Sequence, residues 1–107
     1  MECLFCKIIN RELSSEIVYE DEEIIGIKDI KPKASVHILI LPKKHIPSVN
    51  QLENKEIAGA LLLSARKIAR EKNLKGYKII INVGREGGQL IDHLHLHLLG
   101  GEIKEIP

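Results

Sequence analysis

Three of the five histidines in this 107-residue chain stand at i, i+2 and i+4: His93, His95 and His97, in the run Asp92-His93-Leu94-His95-Leu96-His97-Leu98-Leu99-Gly100-Gly101. The alternation with leucine has period two, the pattern of a half-buried strand. It places the three imidazoles on one face, about 6.5–7 Å apart along the strand, and turns the leucines into a core. A helix would send His95 about half a turn away from its neighbours. A neutral imidazole, with an ordinary pKa of about 6.5, is a good nucleophile near neutral pH. It can attack phosphorus, and the phosphoimidazole formed is easily displaced, so two easier steps replace one hard one. A second imidazole, kept protonated by the phosphate, can bind anionic oxygens or assist the leaving group. The loop Gly84-Arg85-Glu86-Gly87-Gly88-Gln89 just before the run can offer backbone N–H groups to the same phosphate, although most glycine-rich loops are only turns.

The same residues admit a metal hydrolase. His-x-His on a strand, with a third histidine from a neighbouring strand, can hold catalytic zinc, and His37 in an apolar segment is the candidate third ligand. A structural or incidental histidine row is the plain alternative. Taken alone, His37 reads as a satisfied core histidine and His45, in a basic loop, as solvent-facing. Cys3 and Cys6 are the only cysteines, in Cys-x-x-Cys spacing. In a reducing cytosol that spacing reads as a metal knuckle or redox pair before a permanent disulfide. Two cysteines cannot close a tetrahedral zinc site, so two further ligands must come from elsewhere.

The elements that must position these groups follow from the patterning. Residues 3–11 read as a short helix with Leu4, Phe5, Ile8 and Ile9 on one face. Residues 17–20 and 23–28 read as strands joined by a turn at Asp21-Glu22, and residues 35–41 as a third, covered on both faces. Asn54 caps a helix over residues 54–72, whose apolar stripe Ile57, Leu61, Ala65 and Ile68 is widened by Ala58, Leu62 and Ala69. That excess width suggests a second buried contact, such as a partner subunit. Residues 77–83 form a fourth strand, the histidine strand ends at Gly100-Gly101, and residues 102–107 are a polar tail. The order predicts one α+β domain over residues 1–107, a mainly antiparallel sheet with helices on one side. A net charge of +1 leaves no electrostatic footprint for nucleic acid or an acidic membrane. No apolar run approaches a membrane span and no secretory leader opens the chain, which reads as cytoplasmic.

His93-Leu94-His95-Leu96-His97-Leu98-Leu99 matches the histidine triad (HIT) pattern, in which apolar residues separate and follow the three histidines. Leu39-Ile40-Leu41-Pro42-Lys43-Lys44-His45-Ile46 resembles the Hint-like branch, as do Cys3-Leu4-Phe5-Cys6-Lys7-Ile8-Ile9, Asp29-Ile30-Lys31-Pro32, Asn82 and Gly87-Gly88-Gln89. The resemblance runs over residues 3–101. It implies a HIT-like fold with a five-stranded sheet, a short first helix and one long helix, in a homodimer joined through the long helix and a sheet edge. It also implies a nucleotide hydrolase or transferase that cleaves nucleoside 5′-phosphoramidates, or related nucleotidyl compounds, at the α-phosphate. By that resemblance His95 is the nucleophile that carries the nucleotide, His97 contacts phosphate and leaving group, and His37 completes the site and orients the nucleophile. Asp29 takes the ribose hydroxyls with Ile30 beside it, while Asn82, Gly88 and Gln89 are phosphate-side contacts. Phe5, Ile8 and Ile27 line the base pocket, and a purine nucleotide such as AMP is the implied ligand. Some relatives hold structural zinc on residues that correspond to Cys3, Cys6, His45 and His93. Alternatives within the resemblance are a dinucleoside polyphosphate hydrolase and a nucleotide-binding regulatory protein with vestigial activity. Two features depart from the pattern: Leu90 stands where many Hint-like members have serine, and the chain lacks the longer C-terminal tail of some relatives. Both bear on the leaving-group side.

Overall fold

The computed structural model describes residues 3–103. The chain runs α1 (Leu4–Ile9), β1 (Ile17–Glu20), β2 (Ile24–Lys28), β3 (Ala34–Pro42), α2 (Lys55–Glu71), β4 (Tyr77–Ile80) and β5 (Leu96–Ile103). The five strands form one sheet in the order β1-β2-β3-β5-β4, with every neighbouring pair antiparallel. The expected α+β architecture is therefore present. The tail at residues 104–107 lies outside the described residues. Among the described residues no helix is long and apolar enough to cross a membrane.

Pleat parity divides the sheet into two faces. Ile24, Ile38, Ile40, Leu96 and Leu98 pack against Ile57, Leu61, Ala65, Ile68 and Ala69 of α2. Ile25, Ile27, Leu39 and Leu41 have the opposite parity and pack against Cys3, Phe5 and Ile8 at α1. The two helices thus cover opposite faces, which corrects the expectation of helices on one side. Periodicity along one helix shows which of its faces is buried, but not which face of the sheet receives it. β3 is covered on both faces, as its nearly unbroken apolar sequence predicts.

The leucine–histidine alternation survives, but strand pairing starts only at Leu96, so His93 and His95 precede β5. Leu94 joins the α2 core while Phe5 meets the rings of both His93 and His95, at centroid distances of 5.8 and 5.0 Å. Gly100-Gly101 does not end the strand. Pairing continues to Ile103 opposite Ala34, past a register shift. Gly101 takes φ +71°, a left-handed conformation that glycine adopts without penalty and that accommodates the shift. The Asn54 side chain accepts from Ile57 N–H at 3.0 Å, which is the expected helix cap. β4 stops at Ile80, short of the expected Val83, because the chain turns into the glycine-rich loop.

Candidate active site and metal cluster

His95 and His97 share the α1 face of the sheet with His37 of β3. Leu39 pairs with His97 and His37 with Leu99 across the β3–β5 ladder. Their hydrogen bonds fix which nitrogen carries each proton. Lys33 N–H donates to His37 Nδ1 at 3.0 Å, so that nitrogen is unprotonated. Neutral His37 then carries its proton on Nε2 and donates to His97 Nδ1, 2.9 Å away. Neutral His97 in turn presents an Nε2–H. His95 Nδ1 lies 2.7 Å from the His93 carbonyl and must donate to it, which leaves the lone pair on His95 Nε2. The site therefore pairs a ring oriented to attack with a ring oriented to donate, their centroids 5.1 Å apart.

Burial keeps these rings neutral. It lowers His97 from the ordinary 6.5 to about 4, with the positive charges of His95 and His37 adding to the effect and Asp29 opposing it. Burial also lowers His95 and His37, again against Asp29. In the free protein the second imidazole is therefore neutral, and the protonated form expected from the sequence depends on a bound phosphate. A proton added at His97 Nδ1 would face the Nε2–H of His37.

Asp29 Oδ1 accepts from Lys31 N–H at 2.8 Å, and its Oδ2 lies 3.4 Å from His37 Nε2. Ile30 is 89% exposed beside it. Phe5, Ile8 and Ile27 are buried together under the histidines. Asn82 follows two residues after the end of β4, whose last residue Ile80 pairs with His97. Its amide donates to the Gly87 carbonyl at 2.8 Å. The loop is more self-contained than expected. The N–H groups of Gly87 and Gln89 donate to Gly84 O, and that of Gly88 to Arg85 O. Gln89 is buried rather than turned to a phosphate. Its side chain accepts from Gly84 N–H and donates to the carbonyls of Pro47 (2.6 Å) and Ile91 (2.9 Å). It is a strut that ties the glycine-rich loop to the 42–48 loop. Leu90 next to it is 82% exposed.

A second cluster lies on the other side of His93. The ligand atoms of Cys3, Cys6, His45 and His93 all lie within 4.8 Å of one another. His93 Nδ1 is 3.4 Å from Cys3 Sγ and 3.7 Å from Cys6 Sγ, and His45 Nδ1 is 3.3 Å from Cys6 Sγ. Tetrahedral zinc with ordinary Zn–S and Zn–N bonds separates such atoms by about 3.6 Å. His93 Nε2–H donates to the Pro42 carbonyl at 2.7 Å, leaving its Nδ1 lone pair aimed at the thiols. Without a cation, burial and the Cys3 thiol push the Cys6 thiol up to about 11, an effect that a coordinated metal reverses. The donors fit a closed, structural zinc. The group Asp29, His37 and His97 is equally compact but does not fit a cation. With Lys33 N–H on its Nδ1, neutral His37 has no lone pair left to give a metal. This weighs against the metal-hydrolase alternative.

The pieces that sequence reasoning missed are backbone groups: Lys33 N–H, the Pro42 and His93 carbonyls, and Leu94 N–H, which donates to Ile46 O at 2.7 Å. Any residue type supplies them, so no sequence signal marks them. Arg85 is a missed side chain; its two nitrogens meet Asp92 at 2.9 and 3.0 Å and brace the loop.

A neutral imidazole oriented for attack and a second oriented for donation, beside a separate Cys₂His₂ cluster on an antiparallel sheet, are the parts that nucleophilic histidine chemistry needs. The chain belongs to the histidine triad superfamily. Residues 2–105 match the family described as scavenger mRNA decapping enzyme, C-terminal binding. The chain is 44% identical over 104 residues to the purine nucleoside phosphoramidase of Escherichia coli K12, covering 94% of this chain and 87% of that protein. A HIT family hydrolase from Legionella pneumophila superposes with a TM-score of 0.93 at 42% identity, over 99% of this chain and 98% of that one. A zinc-bound histidine triad protein from Mycobacterium smegmatis superposes with a TM-score of 0.85 at 32% identity, over 94% of this chain and 75% of that one.

Proposed function

We propose that this protein hydrolyses purine nucleoside 5′-phosphoramidates at the α-phosphorus through a nucleotidyl intermediate on His95. The observation that carries the proposal is the tautomer pattern, a free Nε2 lone pair on His95 beside an Nε2–H on His97. His95 Nε2 attacks phosphorus and the P–N bond breaks as the leaving nitrogen takes a proton from water, so that it departs as the amine beside the His97 Nε2–H, which hydrogen-bonds the reacting group. Water then displaces His95 and releases the nucleoside monophosphate. Asp29 receives the ribose, and Phe5, Ile8 and Ile27 receive the base. Asn82 and Gly88 border the phosphate, with Gln89 holding their loop in place. The likeness to the Escherichia coli phosphoramidase supports this substrate class. The test is AMP release from adenosine 5′-phosphoramidate, with diadenosine polyphosphates alongside. Release only from the dinucleotides would move the substrate class, and AMP binding with no release from either would leave a binding protein.

Zinc on Cys3, Cys6, His45 and His93 would supply structural cross-linking there, with no part in the chemical step. The proposed site is a cytoplasmic homodimer's. β4 is a sheet edge; Ile79 on it and Ile81 just past its end are 37% and 41% exposed, and Leu62 of α2 is 54% exposed. Ile81 and Leu62 line one apolar depression with Val49, Leu52 and Leu61. We expect light scattering to give the dimer mass for the native chain and the monomer mass for Ile81→Lys with Leu62→Glu. A native monomer at micromolar concentration would refute the dimer.

The pH profile follows from burial. As pH falls, the unfolded chain takes up protons near 6.5, whereas folded His97 waits until about 4. Protonation in that window favours the unfolded chain, so stability falls as pH drops through it. We expect kcat/KM to stay level from about pH 8 to pH 6 and to decline only below about pH 5. An acid limb centred at or above the ordinary histidine value would contradict the burial account.

A further inference from the structure

We propose that Asp29 is a positioning residue that ties recognition of the nucleotide sugar to the hydrogen-bond donor of His97, so that the sugar is read in turnover as well as in binding. This deepens the function proposed above and rests on it for the identity of the ligand.

The turn at residues 29–33 closes around His37. Asp29 N–H donates to the His37 carbonyl at 3.0 Å and Lys33 N–H donates to its Nδ1 at 3.0 Å. With Nδ1 taken, His37 has one N–H to give, on Nε2. Two acceptors compete for it: His97 Nδ1 at 2.9 Å and Asp29 Oδ2 at 3.4 Å. His37 is only 6% exposed, so water is a poor substitute for either. Asp29 Oδ1 is held by Lys31 N–H, which leaves Oδ2 as the freer edge of a carboxylate whose side chain is 19% exposed.

A vicinal diol seated at Asp29 donates to Oδ2 and weakens that oxygen as an acceptor for His37. The His37 N–H then serves His97 Nδ1 alone, and the bond fixes the His97 ring with its Nε2–H toward the phosphate. When the diol is incomplete, the carboxylate draws on the His37 N–H and His97 is held less firmly. A misplaced donor costs turnover even where binding is little changed.

The test compares adenosine and 2′-deoxyadenosine 5′-phosphoramidates on the full chain, native and Asp29→Asn. It also records the ring ¹⁵N signals of His97 in the AMP and 2′-deoxy-AMP complexes. For the native chain, removal of the 2′-hydroxyl should lower kcat about tenfold, the effect of one well-made hydrogen bond. In Asp29→Asn, whose neutral amide draws less on the His37 N–H, the kcat for the 2′-deoxy substrate should rise toward that for the ribose substrate, so that the sugar effect on kcat shrinks to within about twofold. The His97 nitrogen signals should differ between the two complexes in the native chain. A sugar effect confined to KM in the native chain, or identical His97 signals in the two complexes, overturns the proposal. The nitrogen comparison needs no turnover. A chain that binds AMP without hydrolysing phosphoramidates would defeat the proposed function, while this coupling stands or falls on the His97 signals alone.

Discussion

Replacing His95 with asparagine should lower AMP release by about a thousandfold or more while leaving AMP affinity within about threefold of native. The size of the loss follows from the role proposed. Among the described residues no second imidazole lone pair in the site is oriented for attack: His37 Nδ1 is occupied by Lys33 N–H, His97 Nδ1 by His37, and the His93 Nδ1 lone pair is turned to the Cys3 and Cys6 thiols. Binding is preserved because the asparagine amide can still donate to the His93 carbonyl, and because Phe5, Ile8, Ile27 and Asp29 are untouched. Single-turnover AMP release and calorimetric AMP binding check the two halves separately. Native-like release from His95→Asn would remove the nucleophile assignment. Equal loss of release and binding would make His95 a packing residue.

The second large effect concerns the Cys₂His₂ cluster. Removing zinc with a chelator, or breaking the site with Cys6→Ala, should lower the melting temperature by roughly 10–20 °C, since metal-binding free energy is folding free energy and about 1 kcal/mol moves a domain of this size by several degrees. The cluster joins three segments distant in sequence: the start of α1, the 42–48 loop and the approach to β5. Its loss therefore loosens the turn that carries His93 and, through the His93 carbonyl, His95. At a temperature well below the lowered melting point, turnover per folded molecule should change by less than about threefold. Calorimetry with metal analysis, followed by AMP release on the same samples, checks this. Turnover that falls in step with zinc content at an unmoved melting temperature would make the metal catalytic.

Much of this architecture was legible because apolar spacing reports burial directly. The Asn54 cap, the α2 stripe and the two-sided burial of β3 follow from spacing alone, and the leucine–histidine alternation separates core from site even where strand pairing has not begun. Cys3, Cys6, His45 and His93, the candidate metal ligands, gather into one cluster, and His37, His95 and His97 gather into another. What stayed hidden has physical reasons. The opposite placement of the helices depends on which sheet face each finds, a three-dimensional choice that no single periodicity encodes. The continuation of β5 through Gly100-Gly101 depends on a bulge, and two glycines signal either a bulge or an end. Gln89 looks like a polar loop residue until its three hydrogen bonds show a buried strut. The tautomers of His37 and His95 are set by backbone groups that leave no mark on the residue types.

The measurement that tests the central claim most directly is the mass of the intact protein, quenched during turnover of adenosine 5′-phosphoramidate and then mapped by peptide. The account predicts one nucleoside monophosphate per chain, attached to His95, absent from His95→Asn and lost on longer incubation as AMP appears. Steady AMP release with no adduct at the shortest times, and inversion at phosphorus with a chirally labelled substrate, would mean that water attacks directly and that His95 does not carry the nucleotide.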